Sequence, residues 1–263
     1  MEGRDVPQQR VQKLMAQADI GSRRKCEKII SSGRVQVNGK VIGLGAKADP
    51  LKDVILIDGV RIKTSFDSIC IVVNKPKGVL TTNRAAPDDD RPTIRELVEV
   101  PGHLFPVGRL DADSEGLLIL TNDGELANRL SHPRYEHTKT YKVTVKGKVT
   151  RETIEAWESG VWLDDSRTAA CSVRTLQSTK RSTVLRIVML EGRKRQIRRV
   201  AMLLGHPVMR LVRTHIGQLG LGTLRKGAWY QLDEDEIKAL QTPVRELADI
   251  RRARRERKRK AAR

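Results

Sequence analysis

The sequence contains little of what marks a secreted, membrane-spanning or metal-binding protein. Only three of its 263 residues are cysteines, at positions 26, 70 and 171, and no two of them form a Cys-x-x-Cys pair. Their odd number and wide spacing argue against a disulfide framework and a zinc site, so we expect reduced cysteines and no bound metal. No apolar run approaches the ~20 residues that cross a bilayer, and the first residues lack the apolar core of a signal peptide. These absences predict a cytoplasmic protein with no membrane partner.

Sequence motifs of several common enzyme classes are also absent. The chain has no Gly-x-x-x-x-Gly-Lys-Ser/Thr loop, no Gly-x-Gly-x-x-Gly fingerprint, no His-Glu-x-x-His pair and no Gly-x-Ser-x-Gly turn. These motifs bind nucleoside triphosphates, dinucleotides and catalytic zinc, or present a nucleophilic serine. Nucleotide hydrolysis, dinucleotide redox chemistry, zinc hydrolysis and serine hydrolysis therefore have no support in the sequence.

Positive charge is the main excess of the composition. The chain has 51 Lys and Arg against 32 Asp and Glu, a formal net charge of +19. Residues 251–263 contain nine Lys or Arg and one Glu, so they contribute +8 and the rest of the chain contributes +11. A basic surface of this size attracts a polyanion and predicts a nucleic-acid partner. Because like charges repel one another, we expect residues 244–263 to form a disordered basic tail, with at most a short helix at 244–250.

The N-terminal segment has the pattern of two short helices followed by a small sheet. A first amphipathic helix precedes a second one that Ser22 can cap, and the outer face of this second helix carries Arg24 and Lys28. The turn pairs Asn-Gly at 38–39 and Asp-Gly at 58–59 each lie between short alternating segments. They predict two β-hairpins.

This order of elements, with Gly-Ser-Arg-Arg at 21–24 and Gly-Arg-Val-x-Val-Asn-Gly at 33–39, resembles the alpha-L (S-four type) RNA-binding domain. That domain occurs in a small-subunit ribosomal protein and in several RNA-modifying enzymes. The resemblance implies such a domain at residues 10–64. It also implies phosphate contacts by four basic side chains, Arg23, Arg24, Lys28 and Arg34. A helix face that is merely solvated is the alternative.

A larger domain follows, in which strands and helices interleave. Apolar runs and alternation predict a strand at 116–120 and paired strands at 170–176 and 183–190. Strands outnumber helices and many connections are short, which favours an α+β domain on a mostly antiparallel sheet over a doubly wound parallel sheet. We place this domain at residues 69–243.

The segment at 108–124 carries the most distinctive chemistry of the larger domain. Its sequence is Gly-Arg-Leu-Asp-Ala-Asp-Ser-Glu-Gly-Leu-Leu-Ile-Leu-Thr-Asn-Asp-Gly, which places acidic residues on a loop immediately before a buried strand. A carboxylate such as Asp111 can be held in a cleft there and kept ionised by positive charge such as that of Arg109. By itself the tetrapeptide at 108–111 is more typical of a structural turn, and Asp113 is a second carboxylate that can order the loop.

Five ordered segments resemble the RsuA/RluB-type branch of pseudouridine synthases, bacterial enzymes that act on ribosomal RNA. They are residues 74–79 (Asn-Lys-Pro-Lys-Gly-Val), 108–124, 139–143 (Lys-Thr-Tyr-x-Val), 191–199 (Glu-Gly-Arg-Lys-Arg-Gln-Ile-Arg-Arg) and 211–217 (Leu-Val-Arg-x-x-Ile-Gly). With the N-terminal domain, the resemblance covers residues from about 10 to 240. It implies an isomerase that converts a uridine of ribosomal RNA to pseudouridine without a cofactor.

The resemblance also implies roles for individual residues. Asp111 matches the essential aspartate of the family, Tyr141 matches the tyrosine that stacks on the target base, and Arg198 matches the basic residue that pairs with the aspartate. Leu211 matches the apolar residue packed beneath the uracil. Each has a structural alternative, since Tyr141 and Leu211 fit an ordinary core and Arg198 fits a phosphate-binding helix.

Arg109 and Arg195 are predicted as further RNA contacts of the larger domain. The segments at 132–136 and 191–199 look more like the large-subunit enzymes, so we expect large-subunit ribosomal RNA as the substrate. We also expect a monomeric protein. Small-subunit ribosomal RNA is the alternative substrate. A non-catalytic RNA-binding factor of ribosome assembly is the second hypothesis, although the intact set of candidate catalytic residues argues against it.

Overall fold

The computed structural model describes residues 8–64, 67–135 and 137–242. The chain divides into two compact units. The first contains Val100–Leu104 together with Ile69 and the described residues before it, and the second contains Cys70–Glu99 and the described residues from Phe105 onward. The helix predicted at 244–250, the tail predicted at 244–263 and position 136 of the 132–136 segment lie outside the described residues.

The sequence raised the questions of membrane-spanning helices, metal sites and disulfides. In the described ranges, no helix combines the length and the apolar character that crossing a membrane requires. The same ranges contain no group of three or more His, Cys, Asp or Glu side chains that could hold a metal ion. Cys26, Cys70 and Cys171 are free thiols, and all three are buried.

The first unit consists of two helices and short strands. In chain order its elements are β1 (Gln9–Arg10), α1 (Val11–Gln17), α2 (Arg23–Ser31), β2 (Val35–Val37), β3 (Lys40–Val41), β4 (Lys47–Ala48), β5 (Ile55–Ile57) and β6 (Val60–Arg61). Antiparallel pairs connect β3-β2-β5-β6 in that order, and β1 pairs with β4. The helices and the sheet share one apolar core, which includes Val11, Leu14, Met15, Cys26, Ile30, Val35 and Ile55.

Local sequence signals explain where these elements begin and end. The Ser22 hydroxyl accepts a hydrogen bond from the Lys25 amide at 3.2 Å and caps α2. Gly33 follows the helix with a φ of +73°, which glycine adopts without strain. The turns at 38–39 and 58–59 have φ between +51° and +80° at both residues, as the tight type I′ turn requires. The predicted helix cap and both predicted hairpins are therefore confirmed.

The second unit is built on one large sheet. Its elements are β7 (Cys70–Lys75), β8 (Phe105–Val107), β9 (Glu115–Thr121), α3 (Gly124–Ser131), a 3-10 turn (Pro133–Tyr135), β10 (Lys139–Lys146), α4 (Arg151–Ser159), β11 (Trp162–Leu163), β12 (Ser166–Arg167), β13 (Ser172–Ser178), β14 (Ser182–Met189), α5 (Gln196–Leu203), β15 (Val208–Ile216), β16 (Leu219–Gly220), β17 (Trp229–Gln231) and α6 (Glu234–Gln241). Within the described residues the sheet has nine strands in the order β13-β14-β10-β15-β9-β7-β17, with β16 on β15 and β8 on β9. Its strand pairs are antiparallel except β9 with β15. The predicted α+β class with a mostly antiparallel sheet is confirmed.

Helices α3 and α6 cover one face of the sheet around β7 and β9. Their apolar side chains and those of the strands form one cluster, which includes Val72, Leu117, Ile119, Leu126, Leu130 and Leu240. Asp123 caps α3 by accepting hydrogen bonds from the backbone amides of Glu125 and Leu126, at 2.8 and 3.1 Å. Helix α6 was not predicted from the sequence, although a capping box between Asp233 and Glu236 marks its start.

The parallel pair of β9 and β15 determines where the site forms. Glu115 pairs with Val212, and Gly116 pairs with Arg213. Gly116 has a φ of +108°, and a Cβ atom at this position would lie 2.3 Å from the carbonyl oxygen of Arg213. A side chain cannot fit into this space, so glycine is required where the two backbones approach. As a result, the loop that leads into β9 lies beside β15, which carries Leu211.

Candidate active site

A cleft of about 720 Å³ opens in the second unit at this junction. Its walls come from the loop at 108–114, from β10, from the segment at 189–198 and from β15. All six larger-domain residues predicted from the sequence line it: Arg109, Asp111, Tyr141, Arg195, Arg198 and Leu211. The fold therefore brings together side chains that lie far apart along the chain.

Asp111 lies on the loop between β8 and β9, with 36% of its side chain exposed to solvent. One of its carboxylate oxygens is 3.4 Å from Nη1 of Arg195. Arg195 immediately precedes α5 and has a left-handed backbone conformation, with a φ of +51° and a ψ of +31°. Such a conformation is uncommon for a residue with a side chain, and these conformations cluster at functional sites. The carboxylate thus faces the cleft beside a positive charge.

Asp113 is held more tightly than Asp111. Nη1 and Nη2 of Arg195 donate to its two carboxylate oxygens at 3.1 and 3.0 Å. Nε of Arg198 lies 3.3 Å from one of these oxygens. The hydrogen bonds from Arg195, helped by the charge of Arg198, lower the pKa of Asp113 below its usual value although burial acts in the opposite direction. These contacts fit the alternative in which Asp113 orders the loop.

Arg198 contacts the loop through Asp113 and Ser114. We expected Arg198 to pair with Asp111, but its ion pair runs to Asp113, and Nη2 donates to the Asp113 carbonyl oxygen at 2.8 Å and to the Ser114 hydroxyl at 3.2 Å. The partner of Asp111 is Arg195. The two arginines lie one helical turn apart, and both reach the same loop, so the sequence pattern alone did not separate their contacts.

Tyr141 and Leu211 form the apolar side of the cleft on adjacent strands. Tyr141 on β10 is 8% exposed, and Leu211 on β15 is 6% exposed. Tyr141 pairs with Arg213, and Val143 pairs with Leu211, so the two cleft residues lie diagonally across the strand pair. The ladder is irregular between Thr140 and Tyr141, and such bulges often re-aim a side chain next to an active site. An aromatic ring and an aliphatic side chain that line the same cleft can hold a planar base.

The loop that carries Asp111 is fixed from behind by the segment at 74–81. Lys75 is completely buried, and its ammonium donates to the carbonyl oxygens of Ser114 and Pro76, each at 2.9 Å, and more weakly to that of Ala112 at 3.4 Å. The Gly78 amide donates to the Ala112 carbonyl at 2.7 Å. The loop backbone therefore has fixed partners before any ligand enters.

Burial of Lys75 also affects its charge. Its removal from water lowers the pKa of the ammonium to about 8, and the nearby carboxylates of Asp113, Asp111 and Glu115 limit this effect. A buried charge that bonds only to carbonyl oxygens is costly, so the order of the loop and the protonation of Lys75 are linked.

The loop is also held by Thr81, whose hydroxyl donates to the Leu110 carbonyl at 2.7 Å.

Comparison with known sequences identifies the family of this arrangement. Residues 69–203 match the family model described as RNA pseudouridylate synthase, and residues 9–50 match the S4 domain. The chain belongs to the RNA pseudouridylate synthase family. The resemblance inferred from the five ordered segments and from the N-terminal domain is therefore confirmed.

Individual relatives and one solved structure agree with this assignment. An RNA pseudouridine synthase of Aquifex aeolicus is 43% identical over 233 residues, which is 88% of this chain and 93% of the relative. Ribosomal large subunit pseudouridine synthase B of Bacillus subtilis is 38% identical over 245 residues, covering 92% of this chain and 97% of the relative. A crystal structure of a pseudouridylate synthase has a TM-score of 0.63 and 29% identity, and the match covers 88% of this chain and 99% of that one.

In this pseudouridine synthase, a second acidic residue supports the loop from its other end. Glu115 begins β9 and is buried, and its carboxylate accepts from Nε of Arg210 at 2.7 Å and pairs with Lys226. Burial alone would raise the pKa of Glu115, but the hydrogen bonds from Arg210 and Lys226 outweigh it and lower the pKa. The carboxylate ties the start of β9 to β15 and to the connection before β17.

The S4 domain presents the predicted RNA-binding residues in two different ways. Arg23, Arg24 and Lys28 are exposed on α2. The guanidinium of Arg34, in contrast, forms an ion pair with Asp58, and its Nε donates to that carboxylate at 2.8 Å. Arg34 is therefore less free than the helical residues to contact a phosphate.

Two buried charged residues were missing from the sequence-based site. Lys75 and Glu115 fall in segments that the resemblance used, but neither received a role. Each has a sequence signal in retrospect, because Lys75 ends a strand that starts with four apolar residues and Glu115 begins a largely apolar strand. A charge next to an apolar strand is either at its exposed end or a paired buried group, and only the contacts distinguish the two.

Proposed function

We propose that this protein converts a uridine of large-subunit ribosomal RNA to pseudouridine, with Asp111 as the essential catalytic carboxylate. The single observation that carries the proposal is that Asp111 shares a cleft with a buried aromatic ring, Tyr141, and an aliphatic side chain, Leu211. A carboxylate next to a base-sized apolar wall suits chemistry at a nucleoside. Membership of the pseudouridine synthase family defines which chemistry this is.

The reaction requires a base that has left its helical stack. The glycosidic bond breaks, the uracil turns without escaping, and its carbon 5 forms a new bond to the ribose while the proton of carbon 5 passes to the ring nitrogen. In our proposal, Tyr141 stacks on the uracil and Leu211 packs beneath it, which holds the detached base and excludes water. The product has the same composition as the substrate, so the reaction involves no net redox change or hydrolysis, and in our proposal it proceeds without a cofactor.

Asp111 can begin this reaction in two ways. An ionised carboxylate can attack the base or the ribose as a nucleophile, or it can remove a ribose proton as a base. Arg195 supplies a positive charge 3.4 Å from the carboxylate. In the proposal, Arg195 stabilises the charged carboxylate, while Arg198 holds the loop through Asp113 and Ser114 and supports Asp111 indirectly.

The two domains have separate tasks in this proposal. Residues 10–64 grip the RNA through the exposed basic face of α2, and residues 69–243 carry out the isomerisation. Arg109 and Arg195 at the mouth of the cleft contact the RNA near the target. The choice of large-subunit RNA is supported by the Bacillus subtilis relative, whose name specifies the ribosomal large subunit. Small-subunit RNA and a non-catalytic assembly role remain the competing hypotheses.

Replacement of Asp111 by Asn tests the catalytic assignment. Asn keeps the size of the side chain and removes the charge, so we expect no detectable pseudouridine in ribosomal RNA transcripts mapped with carbodiimide. The matched control is Asp113→Asn, two residues away in the same loop, which should retain measurable turnover. Turnover by the Asp111→Asn variant would refute the role of this residue. If the variant is inactive but cells that carry it function normally, the assembly hypothesis is favoured.

The RNA substrate is tested by mapping pseudouridines in ribosomal RNA from cells with and without this protein. We expect one site, or a small number of sites, to disappear from the large-subunit RNA. Loss of a site in small-subunit RNA alone would replace the proposed substrate with the alternative.

A further inference from the structure

A second, smaller cavity lies beside the catalytic cleft in the same unit. Its volume is about 180 Å³, and Tyr141 lines both spaces. The charged and imidazole side chains around it are Arg109, His132, His137, Lys139, Glu191 and Arg213. Lys139 begins β10 and Arg213 lies on β15, so two cations on neighbouring strands share this cavity.

Two buried nitrogen atoms at this cavity have no hydrogen-bond partner in the part of the chain that the structure describes. Arg213 is 1% exposed, and while its Nε donates to the Leu117 carbonyl at 2.7 Å, its Nη2 has no hydrogen-bond partner among the described residues. His137 is 8% exposed, and its Nδ1 also lacks a partner within the described chain. Buried polar groups are nearly always satisfied, so unpartnered nitrogens around a cavity indicate that something else occupies it.

The positive charge of Lys139 also has no counter-ion among the described residues. Burial and the neighbouring charge of Arg213 lower the pKa of Lys139 to about 8, and no carboxylate of the described residues offsets these effects. The one carboxylate in the lining, that of Glu191, is engaged elsewhere: it accepts from the Ala169 amide at 2.8 Å and from the Gln196 amide nitrogen at 2.7 Å. Buried cations without a counter-ion are strongly unfavourable, and an anion in the cavity would remove this cost.

We propose that this cavity is a phosphate site that binds a backbone phosphodiester of the RNA next to the flipped uridine. Arg213 and Lys139 supply charged donors, whose hydrogen bonds to phosphate oxygens are stronger than those of neutral donors, and the ring of His137 supplies a third contact. Because Tyr141 lines both spaces, a nucleotide whose base stacks on Tyr141 has its own phosphates close to the cavity. The assignment rests on the proposed function, since it takes RNA as the ligand.

The site can be tested by thermal unfolding of the full chain with inorganic phosphate as the probe. A ligand that binds only the folded state raises the melting temperature. We expect phosphate to raise it relative to sodium chloride at equal ionic strength, and we expect Lys139→Gln to abolish the difference. Without phosphate, Lys139→Gln should melt at the wild-type temperature or above, because it removes a half-buried charge that has no counter-ion among the described residues. The matched control is Lys142→Gln, which removes an exposed lysine from the same strand and should leave the phosphate response intact.

A second measurement distinguishes an RNA phosphodiester from free phosphate. The affinity for a ribosomal RNA fragment is measured at several salt concentrations. Loss of one phosphate contact reduces the slope of log affinity against log salt by about 0.7–0.9. We expect this reduction and a roughly tenfold weaker affinity for Lys139→Gln, a smaller effect for Lys139→Arg, which keeps the charge, and only the loss of affinity expected of a surface lysine for Lys142→Gln.

Several outcomes would overturn the inference. An equal response of wild type and Lys139→Gln to phosphate would mean an adventitious ion only. A phosphate response that depends on Lys139, together with an unchanged RNA salt slope, would assign the site to free phosphate instead of RNA. Binding is measured without turnover, so failure of the phosphate site is separate from failure of the proposed function. Failure of the proposed function would be seen as an active Asp111→Asn enzyme or as a wild-type protein that does not bind ribosomal RNA.

Discussion

Arg195 and Asp113 form a two-pronged contact in which both terminal guanidinium nitrogens donate to the two carboxylate oxygens, at 3.1 and 3.0 Å. The same arginine lies 3.4 Å from Asp111. The side chain of Arg195 therefore holds the loop through Asp113 and also places a positive charge next to Asp111. The planar fork of arginine permits this geometry, and the ammonium of a lysine does not reproduce it.

Arg195→Lys should for this reason slow catalysis although it preserves the charge. A small misplacement of a catalytic group can cost about a hundredfold in rate. We expect the single-turnover rate of pseudouridine formation at saturating enzyme to fall by about ten- to a hundredfold. The control is Arg199→Lys, since Arg199 pairs with Asp164 and does not line the cleft. Equal rates for the two variants would contradict the role given to Arg195.

Lys75→Met should destabilise the enzyme because it leaves several buried carbonyl oxygens without a donor. The expected loss is about 2–4 kcal/mol in the free energy of unfolding, measured by denaturant titration. Lys77→Met is the matched control, because Lys77 belongs to the same segment and is exposed. A loss below about 0.5 kcal/mol, the usual limit for surface changes, would argue against a stabilising role for the hydrogen bonds from Lys75 to the loop.

The pH dependence of stability provides a separate test of Lys75. Its pKa is lowered from 10.5 to about 8 in the folded protein, so the unfolded chain binds more protons between these two values. Stability contributed by this site therefore rises with pH across that window. Measured as the difference between wild type and Lys75→Met, the free energy of unfolding should increase from pH 8 toward pH 10.5. A flat or falling difference would show that the ammonium is not held in the way described.

Gly116→Ala should be among the most damaging single-methyl changes in the chain. The added Cβ would meet the Arg213 carbonyl oxygen at 2.3 Å in a backbone conformation with a φ of +108°. We expect a loss of more than about 3 kcal/mol in the free energy of unfolding, together with loss of activity. Gly222→Ala separates the two causes, since its φ is +54° and no atom lies within 4 Å of the added methyl. Only the conformational cost of about 1–2 kcal/mol should appear there.

The basic face of α2 should contribute to RNA affinity through phosphate contacts. In the double variant Arg24→Ala/Lys28→Ala, the slope of log affinity against log salt should fall by about 1.4–1.8, as expected for two lost contacts. Arg34→Ala should change the slope less, because Asp58 already neutralises this side chain. Filter-binding measurements over a range of salt concentrations give the slope for each variant. An unchanged slope in the double variant would show that α2 does not belong to the RNA interface.

Local signals were sufficient to predict most of the secondary structure. The cap at Ser22, the turn pairs at 38–39 and 58–59, and the alternation around Tyr141 each depend on a few neighbouring residues, and all four appear in the fold. Helix α6 was missed because most of its residues are polar. Its one clear signal is the pair Asp233 and Glu236, and the sequence reading did not use it.

The site was predicted as a set of residues but not as a set of contacts. Family resemblance named Asp111, Tyr141, Arg198 and Leu211, and the fold brings them into one cleft. Which arginine touches which aspartate depends on where α5 begins and on the left-handed conformation of Arg195. Arg195 contacts aspartates more than 80 residues earlier in the chain, and spacing along the chain does not encode such contacts.

The pairing of β9 with β15 has a consequence for the timing of synthesis. The loop with Asp111 emerges from the ribosome long before β15, yet the cleft needs Leu211 and the neighbour that Gly116 packs against. N-terminal domains generally fold first during translation, so the nascent chain has its S4 domain before it has a complete cleft. A growing or truncated chain that ends before β15 is therefore expected to bind RNA without modifying it.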